Sequence, residues 1–255
     1  MPPTLILIRH AEALHNVDNK SPLDLSVLNY SIPDPELSKL GLKQCQSLHD
    51  QLRDHLPLAN KTELIIVSPM VRTLQTALVG LDWLIKRGVR VEPDARWQEN
   101  SDKPCDTGSE LVTIAEAFPT IDFSAVDSTY PNKTSPGNPY AFTRSAVLAR
   151  GQACLETLYQ RPEKVITVVS HSGFLRCGVT NRRFANADYR VFEFEDRNPE
   201  SDNLALKEWE MTEMNGGGMG RSEKGIAGIS ETEFPREVTL DERHREAVTE
   251  KPVEG

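Results

Sequence analysis

Long apolar runs are missing from this 255-residue chain. No segment approaches the ~20 apolar residues that a bilayer-spanning helix needs, so a membrane partner is not expected. Cysteine is scarce: Cys45, Cys105, Cys154 and Cys177 stand far apart with no C-x-x-C pair. That spacing argues against a disulfide framework or a metal site, and leaves reduced, buried thiols as the expectation. Positive charge is short as well, the formal net charge being -9. Nucleic acid and anionic membranes are therefore not expected as main partners, although a local basic pocket stays possible. Internal repeats are absent, which argues against a solenoid. The N-terminal apolar run is too short for a secretory h-region and meets Arg9 at once. A cytoplasmic address follows as the expectation by default.

What the chain does have is an alternation of strand and helix patterns. Leu5-Ile6-Leu7-Ile8 is a short, wholly apolar strand that runs straight into Arg9-His10. Val165-Ile166-Thr167-Val168-Val169 does the same and ends in Ser170-His171-Ser172-Gly173. Strands of this kind are buried on both faces, and open α/β sheets place ligands at the carboxyl edge where such strands end. Between them, Ser38 is placed to cap a helix carrying Leu42, Cys45, Leu48 and Leu52 at helical spacing. Glu63 to Val67 reads as a second buried strand. Ser68-Pro69 has the form of a capping serine with proline at the first helical position, ahead of Leu74, Leu78, Leu81 and Ile85. Val89 to Glu92 reads as a third strand. Thr107-Gly108-Ser109-Glu110 has capping-box spacing before Leu111, Ile114, Ala115 and Phe118.

From Pro119 to Pro139 the composition predicts a long surface loop, and a helix follows over residues 141 to 159. Asp188 to Glu195 and Leu204 to Glu208 read as further strands, the latter at the sheet edge. Past Met214 a Gly216-Gly217-Gly218 run leads into a Glu-rich stretch poor in large apolar residues. One catalytic domain over 1–212 and a flexible acidic tail over 213–255 are the expectation. Oligomeric state stays open, because it depends on which outer strand is exposed.

Three strand-to-helix junctions carry groups suited to a phosphate. Arg9 and His10 close the first, Arg72 sits early in the helix after Ser68, and His171 closes the third. Arginine's planar fork pairs with phosphate oxygens, so two arginines can hold and neutralise one phosphoryl group. Each residue alone has a bland reading as a solvated or structural side chain. Their joint placement at one sheet edge is what points to phosphoryl chemistry. Trp97 and Tyr140 are candidates either for lining an organic substrate or for packing.

With these residues in view, the sequence resembles the histidine phosphatase superfamily, the phosphoglycerate mutase-like group. The resemblance rests on Leu7-Ile8-Arg9-His10-Ala11-Glu12 with Asn16, on Leu37-Ser38-Lys39-Leu40-Gly41, and on Ser68-Pro69-Met70-Val71-Arg72-Thr73-Leu74-Gln75-Thr76-Ala77. Gln98-Glu99 and Val169-Ser170-His171-Ser172-Gly173 complete it. It implies a three-layer α/β/α fold with a mostly parallel open sheet and one antiparallel edge strand. It further implies that His10 is the nucleophile, forming a phosphohistidine. Arg9, Arg72 and His171 would bind the phosphoryl oxygens, with Asn16 as an auxiliary ligand. Glu99 would protonate the leaving oxygen and then activate water. Neither metal nor cofactor is implied, and the partner would be a small phosphorylated molecule.

The resemblance implies a phosphomonoesterase. Mutases of the group usually carry a Trp-Asn pair, whereas here His15 precedes Asn16 and no tryptophan occurs between Val17 and Pro33. A mutase is the nearest rival, and reuse of the fold for binding or non-phosphate chemistry is the other. The group also usually has glycine where this chain has Ala11; a positive φ there would cost on the order of 1 kcal/mol.

Overall fold

The computed structural model describes residues 1–17, 29–197 and 201–237. Its elements run β1 (Thr4–Arg9), α1 (Lys39–His55), β2 (Leu64–Val67), α2 (Val71–Gly80), α3 (Asp82–Lys86), β3 (Arg90–Pro93) and α4 (Leu111–Ala117). Then come α5 (Arg144–Tyr159), β4 (Val165–Ser170), α6 (Ser172–Phe174), β5 (Tyr189–Phe194), β6 (Leu206–Glu208) and α7 (Glu210–Glu213). The helix α6 runs on into a π-helical stretch, Leu175–Thr180.

The strands form one sheet in the order β3-β2-β4-β1-β5-β6. The strands β1 to β4 run parallel. Antiparallel pairing is confined to one side, where β5 lies against β1 and the short β6 closes the edge. Side chains of a strand alternate between faces. Ile6 and Ile8 accordingly pack with Cys45, Leu48 and Leu52 of α1 and with Leu74 and Ala77 of α2. Leu5 and Leu7 point the other way, into a cluster with Val147, Cys154 and Leu158 of α5. A strand covered on both faces must be apolar where it is buried, which is why β1 carries only Leu and Ile between Thr4 and Arg9. The three-layer architecture implied by the sequence is present, and all four cysteines are buried and free. Among the described residues no helix is long and apolar enough to cross a membrane.

Ser38 caps α1 as expected, its Oγ accepting from the Gly41 amide at 3.0 Å. Gly41 itself lets α1 approach the backbone after β1: a Cβ there would lie 2.0 Å from the Glu12 carbonyl oxygen. Other expectations need correction. The helix after β2 starts at Val71, and Ser68 does not cap it. The Val71 amide instead donates to the Asp34 carboxylate at 3.1 Å, a partner 37 positions away that no local pattern encodes. That helix also breaks at Leu81, so Ile85 belongs to the separate α3. The capping box ahead of α4 does not form, because Thr107 Oγ1 donates backward to the carbonyls of Asp102 and Lys103.

The stretch 119–139 is not a plain surface loop. Ile121, Phe123, Val126 and Tyr130 are buried in the α1/α2-side core. They sit in irregular backbone, outside any helix or strand, so no regular face announces the burial. The expected flexible tail is corrected over 213–237. The Asp188 carboxylate gathers the amides of Met219 and Arg221 and the Ser222 hydroxyl. Further on, Phe234 packs on Phe142 with ring centroids 5.4 Å apart. The rest of the tail, 238–255, and most of the irregular stretch after Asn16 lie outside the described residues.

Candidate active site

Parallel pairing puts Arg9 of β1 opposite Ser170 of β4, so His10 and His171 leave neighbouring strand ends side by side. The chain leaves β1 toward α1 on one face and leaves β4 toward α6 on the other. A crevice opens between strands whose connections part in this way. The two imidazoles stand there with ring centroids 5.2 Å apart. Arg72 reaches in from the first turn of α2, fully buried, and its Nε–H donates to His10 Nε2 at 3.3 Å.

That bond and one other define the state of His10. Its Nδ1 lies 2.7 Å from the Ala11 carbonyl oxygen. A carbonyl can only accept, so Nδ1 carries the proton and Nε2 presents a lone pair toward the crevice. Burial first, then the charges of Arg72 and Arg9, hold the imidazole neutral to well below the ordinary histidine range. The Ala11 amide donates to Thr76 Oγ1 at 3.0 Å, and Ala11 is not among the residues with positive φ. Alanine in place of glycine therefore carries no left-handed strain here.

His171 is likewise held neutral, by burial and then by Arg72. Its Nε2 is 2.9 Å from Ser68 Oγ, while its Nδ1 is buried without a partner. Ser68, read from the sequence as a helix cap, orients a histidine instead. Arg9 donates through Nη1 to the Phe184 carbonyl, and its Nε is buried and unpartnered. Burial, with repulsion from Arg72, lowers its pKa to about 10 against the pull of Glu99. Two buried polar nitrogens without protein partners, at the ends of the two strands that border the crevice, suit a polyoxygen ligand.

The remaining expected residues are placed as follows. Asn16 donates to Asn186 Oδ1 at 3.2 Å, and Asn186 in turn donates to the His10 carbonyl. Asn16 thus adjoins the backbone of His10 through one intermediary. Glu99 faces the start of α6, its two carboxylate oxygens accepting from the amides of Gly173, Phe174 and Asn100. A side chain at Gly173 would strike this carboxylate, with a Cβ only 2.5 Å from Oε1. Trp97 and Tyr140 are packing residues: both are buried, Trp97 edge-on to Phe174 and Tyr140 donating to Asp127.

Several neighbours carried no sequence signal. Asp106 pairs with Arg72 Nη2 at 3.1 Å, and the Cys105 carbonyl takes Nη1 at 2.6 Å. Lys133, from the stretch expected to be surface, is buried with its ammonium on the carbonyls of Glu99, Ser101 and Asp106. Burial lowers its pKa to about 7. These contacts join segments far apart in the chain, so only the fold could show them. His15 was visible in the sequence beside Asn16, yet nothing local marked it as part of the site.

The chain is 33% identical over 201 residues to a phosphoglycerate mutase-like protein of Arabidopsis thaliana, covering 68% of this chain and 72% of that one. It is 30% identical over 177 residues to a probable phosphatase of Schizosaccharomyces pombe, covering 68% and 76%. Among solved structures its fold resembles the ecdysone phosphate phosphatase from Bombix mori in complex with tungstate. That match has a TM-score of 0.50 at 13% identity, over 82% of this chain and 92% of the other. Residues 5–207 match the family model itself, and the chain belongs to the histidine phosphatase superfamily (branch 1).

Proposed function

We propose that this protein is a phosphatase that hydrolyses a small-molecule phosphomonoester through a phosphohistidine on His10, without a metal ion. One observation carries the reading. The Nδ1–H bond to the Ala11 carbonyl leaves Nε2 as a neutral, forward-facing nucleophile. Arg72 Nε–H rests on that lone pair, and an entering phosphoryl oxygen would take the donor over and free the nitrogen. Nε2 then attacks phosphorus as the bond to the leaving oxygen breaks. Arg9, Arg72, His171 and Asn16 hold the phosphoryl oxygens, and donors fixed in advance around developing charge are typically worth about 2.7–4 kcal/mol each.

Glu99, entering the cycle as the carboxylic acid with one backbone amide released, gives its proton to the leaving oxygen and is left as the carboxylate. It then takes a proton from the water that attacks the phosphohistidine, releasing phosphate and restoring Nε2. The test compares wild-type protein with His10→Ala on a generic aryl phosphate, with and without a metal chelator. Rapid quenching should trap an acid-labile, base-stable phosphoryl label on the wild type alone. Equal inertness of both proteins would overturn the reading. Turnover of 3-phosphoglycerate that depends on a bisphosphate primer would replace it with mutase chemistry.

A further inference from the structure

His15 stands in the turn after β1, where Ala13 bridges to Leu37 and Asn16 Oδ1 accepts the Ala13 amide. Its ring lies 6.0 Å from that of His10, tilted by 44°. Only 8% of the residue is exposed, and Nδ1 is buried without a partner. Leaving a buried polar atom unpaired costs about 1–3 kcal/mol, so such an atom asks for an explanation. The crevice supplies one. His15 is a third imidazole beside His10 and His171, close enough that its charged form would be felt by both of them.

The charged groups facing His15 among the described residues come from three segments: Arg9 at the end of β1, Arg72 on α2, and Asp106 after α3 and β3. Burial, then Arg72 and Arg9, lower its pKa to about 4, and Asp106 opposes them only in part. With the arginines as its dominant neighbours the ring is neutral at pH 7. A dianion held between those arginines reverses the local field and favours the imidazolium.

We propose that His15 is a further ligand of the phosphoryl group, taking a proton from solvent as the dianion enters and closing its Nδ1–H on a phosphoryl oxygen. This rests on the phosphatase reading and deepens it. The imidazolium adds a third positive charge to those of Arg9 and Arg72 while substrate is bound. The proton returns to solvent as phosphate departs. Binding and protonation are then linked reciprocally, so anion affinity must rise as pH falls.

The test uses sulfate, which stays a proton-free dianion from about pH 5 to about pH 8. Calorimetry gives its Kd for wild type and for His15→Gln, with thermal unfolding to confirm that the variant folds. Wild type should gain about tenfold more affinity per unit of pH fall than the variant, the signature of one linked proton. Labelled imidazole NMR should show the His15 midpoint moving upward when sulfate is added. Equal pH slopes, or an unmoved midpoint, would overturn the proposal. The aryl phosphate assay separates the two readings: if wild type turns over substrate while the slopes match, the His15 role alone fails. A wild type that neither binds sulfate nor turns over substrate sinks both.

Discussion

Asp34 offers the sharpest check on how the site is built. Its carboxylate accepts from the Val71 amide at 3.1 Å, the Ser109 amide at 2.9 Å and the Ser109 hydroxyl at 2.9 Å. One buried group therefore ties the start of α2, the helix that delivers Arg72, to the segment ahead of α4. Asp34→Ala strands two backbone amides and a hydroxyl, each costing about 1–3 kcal/mol where water is excluded. Val71 and Ser109 are only partly buried, so solvent recovers some of that loss. Removing the carboxylate also removes the desolvation it suffers on folding, the largest cause of its raised pKa. Against these gains, alanine must adopt the positive φ of 35° that Asp34 holds, which costs about 1 kcal/mol more. The net expectation is a loss of about 3–4 kcal/mol, with Asp34→Asn losing about 1–2 kcal/mol because its amide keeps one acceptor.

Ser68→Ala is the control, since the sequence alone would name Ser68 as the cap of this helix. Its removal should cost about 1 kcal/mol through the lost bond to His171. Urea denaturation midpoints measure all three variants. Hydrogen exchange should accelerate at both the Val71 and Ser109 amides in Asp34→Ala, at one of them in Asp34→Asn and at neither in Ser68→Ala. If Asp34→Ala lost less than Ser68→Ala, the capping role would return to the serine and the account of α2 would be wrong.

Arg72→Lys keeps the charge but replaces three directed donors with one ammonium, so kcat/KM on an aryl phosphate should fall roughly 100- to 1000-fold. Activity within tenfold of wild type would remove the guanidinium from phosphoryl binding. Acid should destabilise the fold early. His10 and His171 stay neutral in the folded state far below the ordinary range, while the unfolded chain binds protons there from about pH 6.5 downward. Stability therefore drops as pH falls through that value, by up to about 1.4 kcal/mol per unit for each imidazole. Urea midpoints unchanged between neutral pH and about pH 5 would contradict this. Phe234→Ala should cost about 2–4 kcal/mol by emptying its packing against Phe142. A mobile segment would show no change in melting temperature.

The α/β class, the two apolar strands and the residues they carry to the sheet edge were legible in the order of amino acids alone. Burial on both faces forces a continuous apolar run, so Leu5–Ile8 and Val165–Val169 could be read directly, and Arg9, His10 and His171 followed by adjacency. What those residues lean on emerges with the folded chain. The Ser68 contact of His171, the Asp34 cap and the Lys133 strap join residues 103, 37 and 32 positions apart, and the His10 tautomer, though set by the adjacent Ala11 carbonyl, depends on how the backbone turns after β1. Local pattern encodes period and capping chemistry, and a serine before a helix looks the same whether it caps that helix or holds a histidine. The burial of Ile121, Phe123, Val126 and Tyr130 and the docking of 216–237 were hidden for the same reason, their apolar and carboxylate anchors lying in irregular backbone. Only when the sheet brings distant segments together do their fields and hydrogen bonds acquire a direction.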